Sequence, residues 1–463
     1  MKIPVSPPDL NGILNGLHAE PDNALLVRLL FGGVVGPTPG GEYRHWDTFR
    51  HLAPVEGLTA ELTWAAVKLA RAQLLTATPM KDTRARPVMY ALPPLVLELI
   101  HRVDRDAGGV LGAPEQVTNP QTQATYLLKS IVEEAITSSQ LEGASTTRRV
   151  AKDMLLSGRE PTNRSERMIA NNFRALHYVR EHRLEPITEA HVFELQSMLV
   201  DGTLDEPDGA GRFRRDSENI VVSDEVGTIL HVPPVESELP TRLRTLCDFA
   251  NGLDTREFVP PVVRAILVHY GLAYDHPFVD GNGRTARALF YWVMAREGYW
   301  LCEYISISRI LKKARTQYAR SFLYTETDDN DATYFIHYQL KVLTHAIADL
   351  HVYLERKLAE MREVDDMVRH NRALRGELNS RQLDLLTHAL KYPTGEYTIA
   401  SHRRAHEVAY GTARSDLLEL AEKGLLDQRR RGRSFLFVAP TKLRSLLQPT
   451  GVRNRLLPGR KAE

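Results

Sequence analysis

The stretch His276-Pro277-Phe278-Val279-Asp280-Gly281-Asn282-Gly283-Arg284-Thr285-Ala286-Arg287 constrains this chain more than any other. An apolar run from Val262 to Tyr274 precedes it, and a helix-like run from Ala288 to Glu297 follows. The stretch therefore reads as a loop that ends one helix and opens the next. Gly-Asn-Gly at a helix start bares several backbone amides, and the helix dipole adds to their pull on an anion. Arg284 and Arg287, three apart, share one face of the opening helix. Guanidinium forks suit phosphate oxygens. Asp280 can hold Mg²⁺, which favours carboxylate and phosphate oxygens. His276, with an ordinary pKa of about 6.5, is mostly neutral at pH 7 and can accept a hydroxyl proton. Base, metal ligand, anion hole and cationic clamp are the parts that phosphoryl or nucleotidyl transfer needs.

The stretch resembles the signature of the Fic family, His-x-Phe-x-(Asp/Glu)-Gly-Asn-Gly-Arg-x-x-Arg, at every defined position. That family consists mostly of adenylyltransferases, which move AMP from ATP to a hydroxyl of a target protein. The resemblance implies that His276 deprotonates the target hydroxyl, that Phe278 anchors the loop from beneath, and that Asp280 binds Mg²⁺. It implies that Gly281, Asn282 and Gly283 cradle the phosphates, that Arg284 contacts them, and that Arg287 holds the γ-phosphate.

Upstream, Asn119-Pro120 suits a helix start, with Asn as N-cap and Pro in the first turn. Leu128, Ile131, Val132, Ala135 and Ile136 recur at helical spacing, and Gly143 suits the stop. This helix, about 120–143, ends in Ser138-Ser139-Gln140-Leu141-Glu142-Gly143. The ending resembles the Fic inhibitory motif, (Ser/Thr)-x-x-x-Glu-(Gly/Asn), with Ser138, Glu142 and Gly143 at the defined positions. The resemblance implies that Glu142 pairs with Arg287 and takes the fork meant for the γ-phosphate. ATP then binds with its triphosphate misaligned, and a misplacement of about 1 Å costs on the order of 100-fold in rate. In related proteins the same glutamate also supports AMP removal.

Asn219 to Val222 and Thr228 to Val232 are β-branched runs around a turn, hence a hairpin. In Fic proteins a hairpin here, the flap, pairs its edge with the target, so Ile220, Val221 and Val222 are candidate docking residues. A purely structural hairpin is the other reading. Tyr318 is either an adenine platform or a core tyrosine. His269 is read as packed rather than catalytic. Ile310 and Ala314 stand where many relatives carry a tyrosine and an asparagine, which bears on base recognition. Asp328-Asp329-Asn330-Asp331 lacks the glycine and distal glutamate of an EF-hand, so it reads as an acidic cap before Thr333.

The chain has 463 residues, enough for two to four domains. The expected fold is mainly α. Residues 1–115 read as a helical domain, with Tyr43 to Leu52 as turn or strand, Thr59 to Leu74 and Leu92 to Val103 as helices, and Leu25 to Val35 as strand or helix. Residues 116–340 read as a helical Fic core with its flap. Ser306 to Phe322 reads as one helix there. Residues 341–375 form a helical linker, and 376–445 resemble a winged helix, common at the C-terminus of Fic proteins. In the linker Leu343, Ile347, Leu350, Leu354, Leu358 and Met361 recur at spacings that suit a connector or a self-pairing helix, so a homodimer is open. Residues 446–463 read as a disordered tail. Lys plus Arg totals 59 and Asp plus Glu 58, yet from Ala400 onward 14 basic residues face 6 acidic ones. Gln428 to Arg433 reads as a basic turn. Arg414 on the recognition helix and Arg429, Arg430, Arg431 and Arg433 at the wing suit DNA phosphates or a protein partner. Two cysteines make no disulfide framework. No signal pattern or bilayer-spanning run is seen. A soluble, cytoplasmic protein is expected, with ATP, Mg²⁺ and a target protein, itself included, as partners. The alternative is a DNA-binding regulator whose Fic core senses nucleotide.

Overall fold

The computed structural model describes residues 1–18, 25, 35–108, 120–224, 226–253, 257–369, 376–392, 395–431 and 434–447. The tail after Gln448 and most of Leu25–Val35 lie outside them. The fold is mainly α, and two compact units divide it, Met1–Leu350 and His351–Glu463.

In the first unit the described helices run α1 (Leu10–His18), α2 (Trp46–Phe49), α3 (Ala60–Ala72), α4 (Pro94–Val103), α5 (Pro120–Leu141), α6 (Arg148–Ser157), α7 (Arg164–Glu181), α8 (Glu189–Val200), α9 (Leu239–Ala250), α10 (Pro261–Asp275), α11 (Asn282–Arg296), α12 (Ile307–Lys313) and α13 (Arg315–Thr327). Two hairpins interrupt them: β1 (Thr76–Lys81) with β2 (Pro87–Tyr90), and β3 (Val222–Ser223) with β4 (Ile229–His231). Helix α10 is apolar on every side, so it is buried on every side. It packs along α11, and α4, α7, α8 and α9 close the core around the pair. Side-chain caps open three of them: Thr59, Asn163 and Thr188 accept from the amides of Leu62, Glu166 and His191.

Several elements differ from the sequence reading. Tyr43–Leu52 contains helix α2, not a strand, because Trp46 and Phe49 must turn together onto Trp64. The N-terminal segment is not all helical. Hairpin β1–β2 places Met80, Val88 and Tyr90 in the core around α10. Its second strand bonds the acidic turn, Met89 N to Asn330 O at 2.9 Å and Ala332 N to Met89 O at 2.7 Å. In that turn Asp331 accepts the amide of Thr333 at 3.0 Å, as a cap should. The helix expected over Ser306–Phe322 breaks at Ala314 (φ −127°, ψ 42°) into α12 and α13. Helix α14 spans Thr333–Arg369, longer than expected. Leu343, Ile347 and Leu354 are buried within the chain and Leu350 packs on the core, so this part of the stripe is covered by the chain itself. The side chains of Leu358 and Met361 lie outside the described residues.

In the second unit α15 (Ser380–Lys391), β5 (Glu396–Tyr397), α16 (Ile399–His406), α17 (Tyr410–Glu422), β6 (Asp427–Arg431), β7 (Ser434–Val438) and α18 (Leu443–Leu447) follow. The sheet order is β5-β7-β6, antiparallel. Leu386, Leu417, Leu420 and Phe437 form its core. Arg429, Arg430 and Arg431 lie in edge strand β6, not in a turn, paired in register with Leu436, Phe435 and Ser434. Arg433 lies outside the described residues.

A Cβ on Gly271 would stand 2.6 Å from Met80 Sδ and 2.8 Å from Leu246 Cδ1, which is how α10 meets hairpin β1–β2 and α9. Gly271→Val should cost about 1–3 kcal/mol through overpacking. Gly271→Ala should cost less, since helix propensity returns about 1 kcal/mol. Denaturant midpoints of the two variants check the order.

Candidate active site

Helix α10 ends where His276 takes a left-handed conformation (φ 45°) while its amide still bonds Leu272 O at 3.0 Å. Pro277 then bars continuation. The loop is held from four sides. Arg214, buried, gives its Nε to His276 O at 2.8 Å and a guanidinium nitrogen to Pro234 O, and its amide reaches Pro277 O at 2.9 Å. Asn282 Oδ1 accepts from Phe278 N at 3.0 Å, and Asn282 Nδ2 donates to Phe278 O at 2.8 Å. Gln196 Nε2 donates to Asp280 O at 3.1 Å, and Gln196 Oε1 accepts from Gly211 N at 2.6 Å. Phe278 is fully buried beneath the loop, against Phe193.

His276 Nδ1 faces Ala273 O at 3.3 Å. A carbonyl accepts only, so Nδ1 carries the proton and Nε2 keeps a free lone pair. Burial pushes the ring down to about 4, against the pull of the Ala273 carbonyl and the Glu142 carboxylate. The ring is thus a neutral base at pH 7.

Helix α11 opens at Gly281 (φ 86°), and the amides of its first turn have no intrahelical acceptor. Glu142 already points into this position. Its carboxylate bonds Arg287 at 2.8 Å, while Arg287 Nε reaches Ser138 Oγ at 2.9 Å and its NH2 reaches Ser138 O at 3.2 Å. A Cβ on residue 283 would come within 2.3 Å of Glu142 Oε1, so glycine is what admits the carboxylate. Burial opposes its ionisation, but Arg287 first, then Arg284 and His276, hold it below the ordinary carboxylate range. The Glu142 side chain is 30% exposed and Arg287 2%. Gly143, with φ 99°, turns the chain away after it.

Three expectations change, for Asn282, Arg284 and the flap. The Asn282 side chain bolts the loop to itself, so only its backbone is left for an anion. Arg284 is fully buried and gives its terminal nitrogens to Leu199 O (2.8 Å) and Asp280 (3.2 Å), which braces the loop, while its Nε has no partner among the described residues. The flap is shorter than expected: of Ile220, Val221 and Val222 only Val222 is in strand β3. Tyr318 is half-buried among Phe322, Phe335 and Tyr338, with its hydroxyl 2.8 Å from His269 Nε2. His269 is fully buried, and burial lowers it to about 3, which suits packing. Asp280 has both oxygens engaged, by Gly281 N at 2.6 Å and by Arg284, yet its side chain is 38% exposed. Among the described residues no cluster of three or more metal-binding side chains exists. A metal would rest on Asp280, waters and a bound phosphate, a donor set that suits Mg²⁺.

Arg214, Gln196 and His231 are functional residues that the sequence reading missed. His231 ends strand β4 with Nδ1 2.7 Å from Glu326 and Nε2 2.7 Å from Tyr274 O, tying the flap to α10. No local pattern marks any of them, since each acts across a large sequence separation.

Comparison with known proteins follows this geometry. Residues 186–294 match the Fic/DOC family. The chain is 36% identical over 128 residues to the protein adenylyltransferase Fic of Nematostella vectensis, covering 27% of each protein. It is 35% identical over 113 residues to the protein of that name from Drosophila willistoni, covering 24% of this chain and 20% of that one. The matched region thus spans about a quarter of these relatives' length. A solved Fic family protein from Desulfovibrio desulfuricans G20 shares the fold, with a TM-score of 0.51 at 18% identity, covering 76% of this chain and 98% of that one.

The His276 ring should stay neutral on acidification from 6.5 until about pH 4. Folding disfavours its protonated form, so its contribution to stability falls as pH drops through that window. Its imidazole NMR shifts, followed from neutral pH downward, check this.

Proposed function

We infer that this chain, whose residues 186–294 make a Fic domain, is a protein adenylyltransferase held in check by its own helix α5. The observation that carries the reading is the Glu142–Arg287 pair over Gly283, at the mouth of the site that His276 serves. The target hydroxyl oxygen attacks the α-phosphorus of ATP. One P–O bond to target forms, the bond to pyrophosphate breaks, and His276 Nε2 takes the hydroxyl proton. The amides of Gly281, Asn282 and Gly283 receive the phosphates at the start of α11. Asp280 would hold Mg²⁺, which neutralises charge on the leaving pyrophosphate. Arg287 receives the γ-phosphate once Glu142 leaves. Glu142 thereby blocks alignment rather than base function, and it also suits positioning a water for AMP removal. The exposed flap edge with Val221, Ile229 and Val232 is suited to an extended target segment, including one of this protein. Tyr318 supports either reading, since it stands near Arg287 but is braced by core aromatics. Two free, buried cysteines, which burial raises to about 12, fit a reducing cytoplasm. Among the described residues no helix is long and apolar enough to cross a membrane.

A second activity rests on a separate observation. Arg403, Arg404, Arg414, Arg429 and Arg430 are exposed and have no carboxylate partner among the described residues. The order helix, strand, helix, helix, hairpin supports reading residues 376–445 as a winged-helix module. We propose that it binds duplex DNA, with the N-terminal half of α17 toward the groove and strand β6 on phosphates.

Glu142→Gly should raise incorporation of labelled AMP from ATP by about tenfold or more, and His276→Ala should abolish it. A silent Glu142→Gly protein would sink the inhibition, and labelling that survives His276→Ala would sink the base assignment. For the module, duplex binding should weaken steeply with salt, and Arg429→Ala with Arg430→Ala should reduce that slope by about two. Affinity indifferent to salt would exclude a phosphate interface.

A further inference from the structure

We propose that Glu134 is the latch that fixes the position of α5, and so decides whether Glu142 reaches Arg287. This deepens the reading above and rests on it. Glu134, Ser138 and Glu142 stand four apart and share one stripe of the helix. The lower two meet Arg287, while Glu134, two turns up, is buried. Its carboxylate accepts from Ser306 Oγ at 2.7 Å, from Ser308 N at 3.1 Å and from Ser308 Oγ. Thr137 Oγ1 adds a contact with Ser306 Oγ at 3.1 Å. All these partners are neutral and lie at the start of α12. The Arg287 guanidinium acts on this carboxylate through space, but its hydrogen bonds come from neutral groups, and such bonds are sensitive to position: a shift of one ångström weakens them together.

The apolar contacts of α5 leave room on that flank. A cavity of about 50 Å³, open to solvent, is lined by Leu127, Ile131 and Glu134 of α5, by Leu176 of α7, and by Tyr291 and Ile305. On this flank the apolar packing is incomplete, and the carboxylate is the group that fixes the register of α5 there. Loss of the latch frees the Ser138–Glu142 end to leave the fork of Arg287, which opens the γ-phosphate site. Glu134 is a positioning residue, because it touches neither nucleotide site nor target.

The test uses the full chain. Glu134→Ala should raise labelled AMP incorporation on the order of tenfold, and hydrogen exchange over residues 126–141 should quicken. In a Glu142→Gly background the same change should add nothing, since both act through one plug. A purely structural role would lower activity in both backgrounds. Ser306→Ala with Ser308→Ala, which removes the latch from the other side, should reproduce the rise if Glu134→Ala fails to fold. Glu142→Gly active with both latch variants at the wild-type level overturns the latch and leaves the enzyme reading intact. Glu142→Gly silent overturns the enzyme reading. The exchange rates then judge the latch, and unchanged protection over 126–141 would overturn it.

Discussion

A guanidinium buried as deeply as that of Arg287 demands an anion, and the chain is arranged around which anion it receives. Its neighbours Ser138 and Glu142 come from a helix nearly one hundred and fifty positions away in sequence. Removing one partner of a buried pair leaves an uncompensated charge, which costs several kcal/mol, on the order of 3–5. Glu142 can therefore depart cheaply only when another anion takes its place. A triphosphate brings that anion. On the function proposed above, inhibition is an exchange of counter-charges, not the blockage of an empty hole. The two partners are unequal in a useful way, because the arginine is sealed while the glutamate keeps a third of its side chain open to water. The arginine stays, and the carboxylate is the part that moves.

The base side of the site is built for the opposite property. His276 is capped by the end of α10, clamped through its carbonyl by Arg214, and braced by the Asn282–Phe278 ring of hydrogen bonds. It is neutral and its free nitrogen is already set. Nothing about it needs to change for proton transfer. Control must then act on the phosphate side, which is where α5 intervenes. The flap follows the same division, since His231 fixes the root of β4 to α10 while the edge beyond it stays exposed.

How far this was legible from residue types depends on how local each cause is. The signature was legible because proton abstraction and anion capture demand fixed side chains at fixed spacing. Glu142 was legible through its motif. Hairpin β1–β2 was not: Pro79 sits inside Thr76–Lys81, and the strands exist because Val88 and Tyr90 reach the core while Met89 bonds the acidic turn. The bracing role of Arg284 was hidden because Leu199 O, its acceptor, lies on another helix. The break at Ala314 carries no proline or glycine to announce it. Arg429–Arg431 read as a turn because charge suggests solvent, yet an edge strand is solvated on one side as well.

The second unit makes a related argument from unpaired charge. Its fold already has a polar hub: Asp416, buried, accepts from Asn379 at 2.8 Å and from both nitrogens of Arg381 at 2.8 and 3.1 Å, with His402 at 3.2 Å. Burial works against that carboxylate, and Arg381 with its neighbours still holds it below the ordinary range. This network joins α15, α16 and α17 without help from Arg403, Arg404, Arg414, Arg429 or Arg430. Apart from Arg430 over the Phe435 ring at 5.6 Å, those side chains add mainly repulsion, since exposed charges are worth little to a fold even when paired. Three arginines in succession on one edge strand also discourage pairing with another strand. That effect alone does not account for Arg414 at the start of α17, on a different element. The duplex proposed above, lying along α16, α17 and β6, would account for all five with one cause.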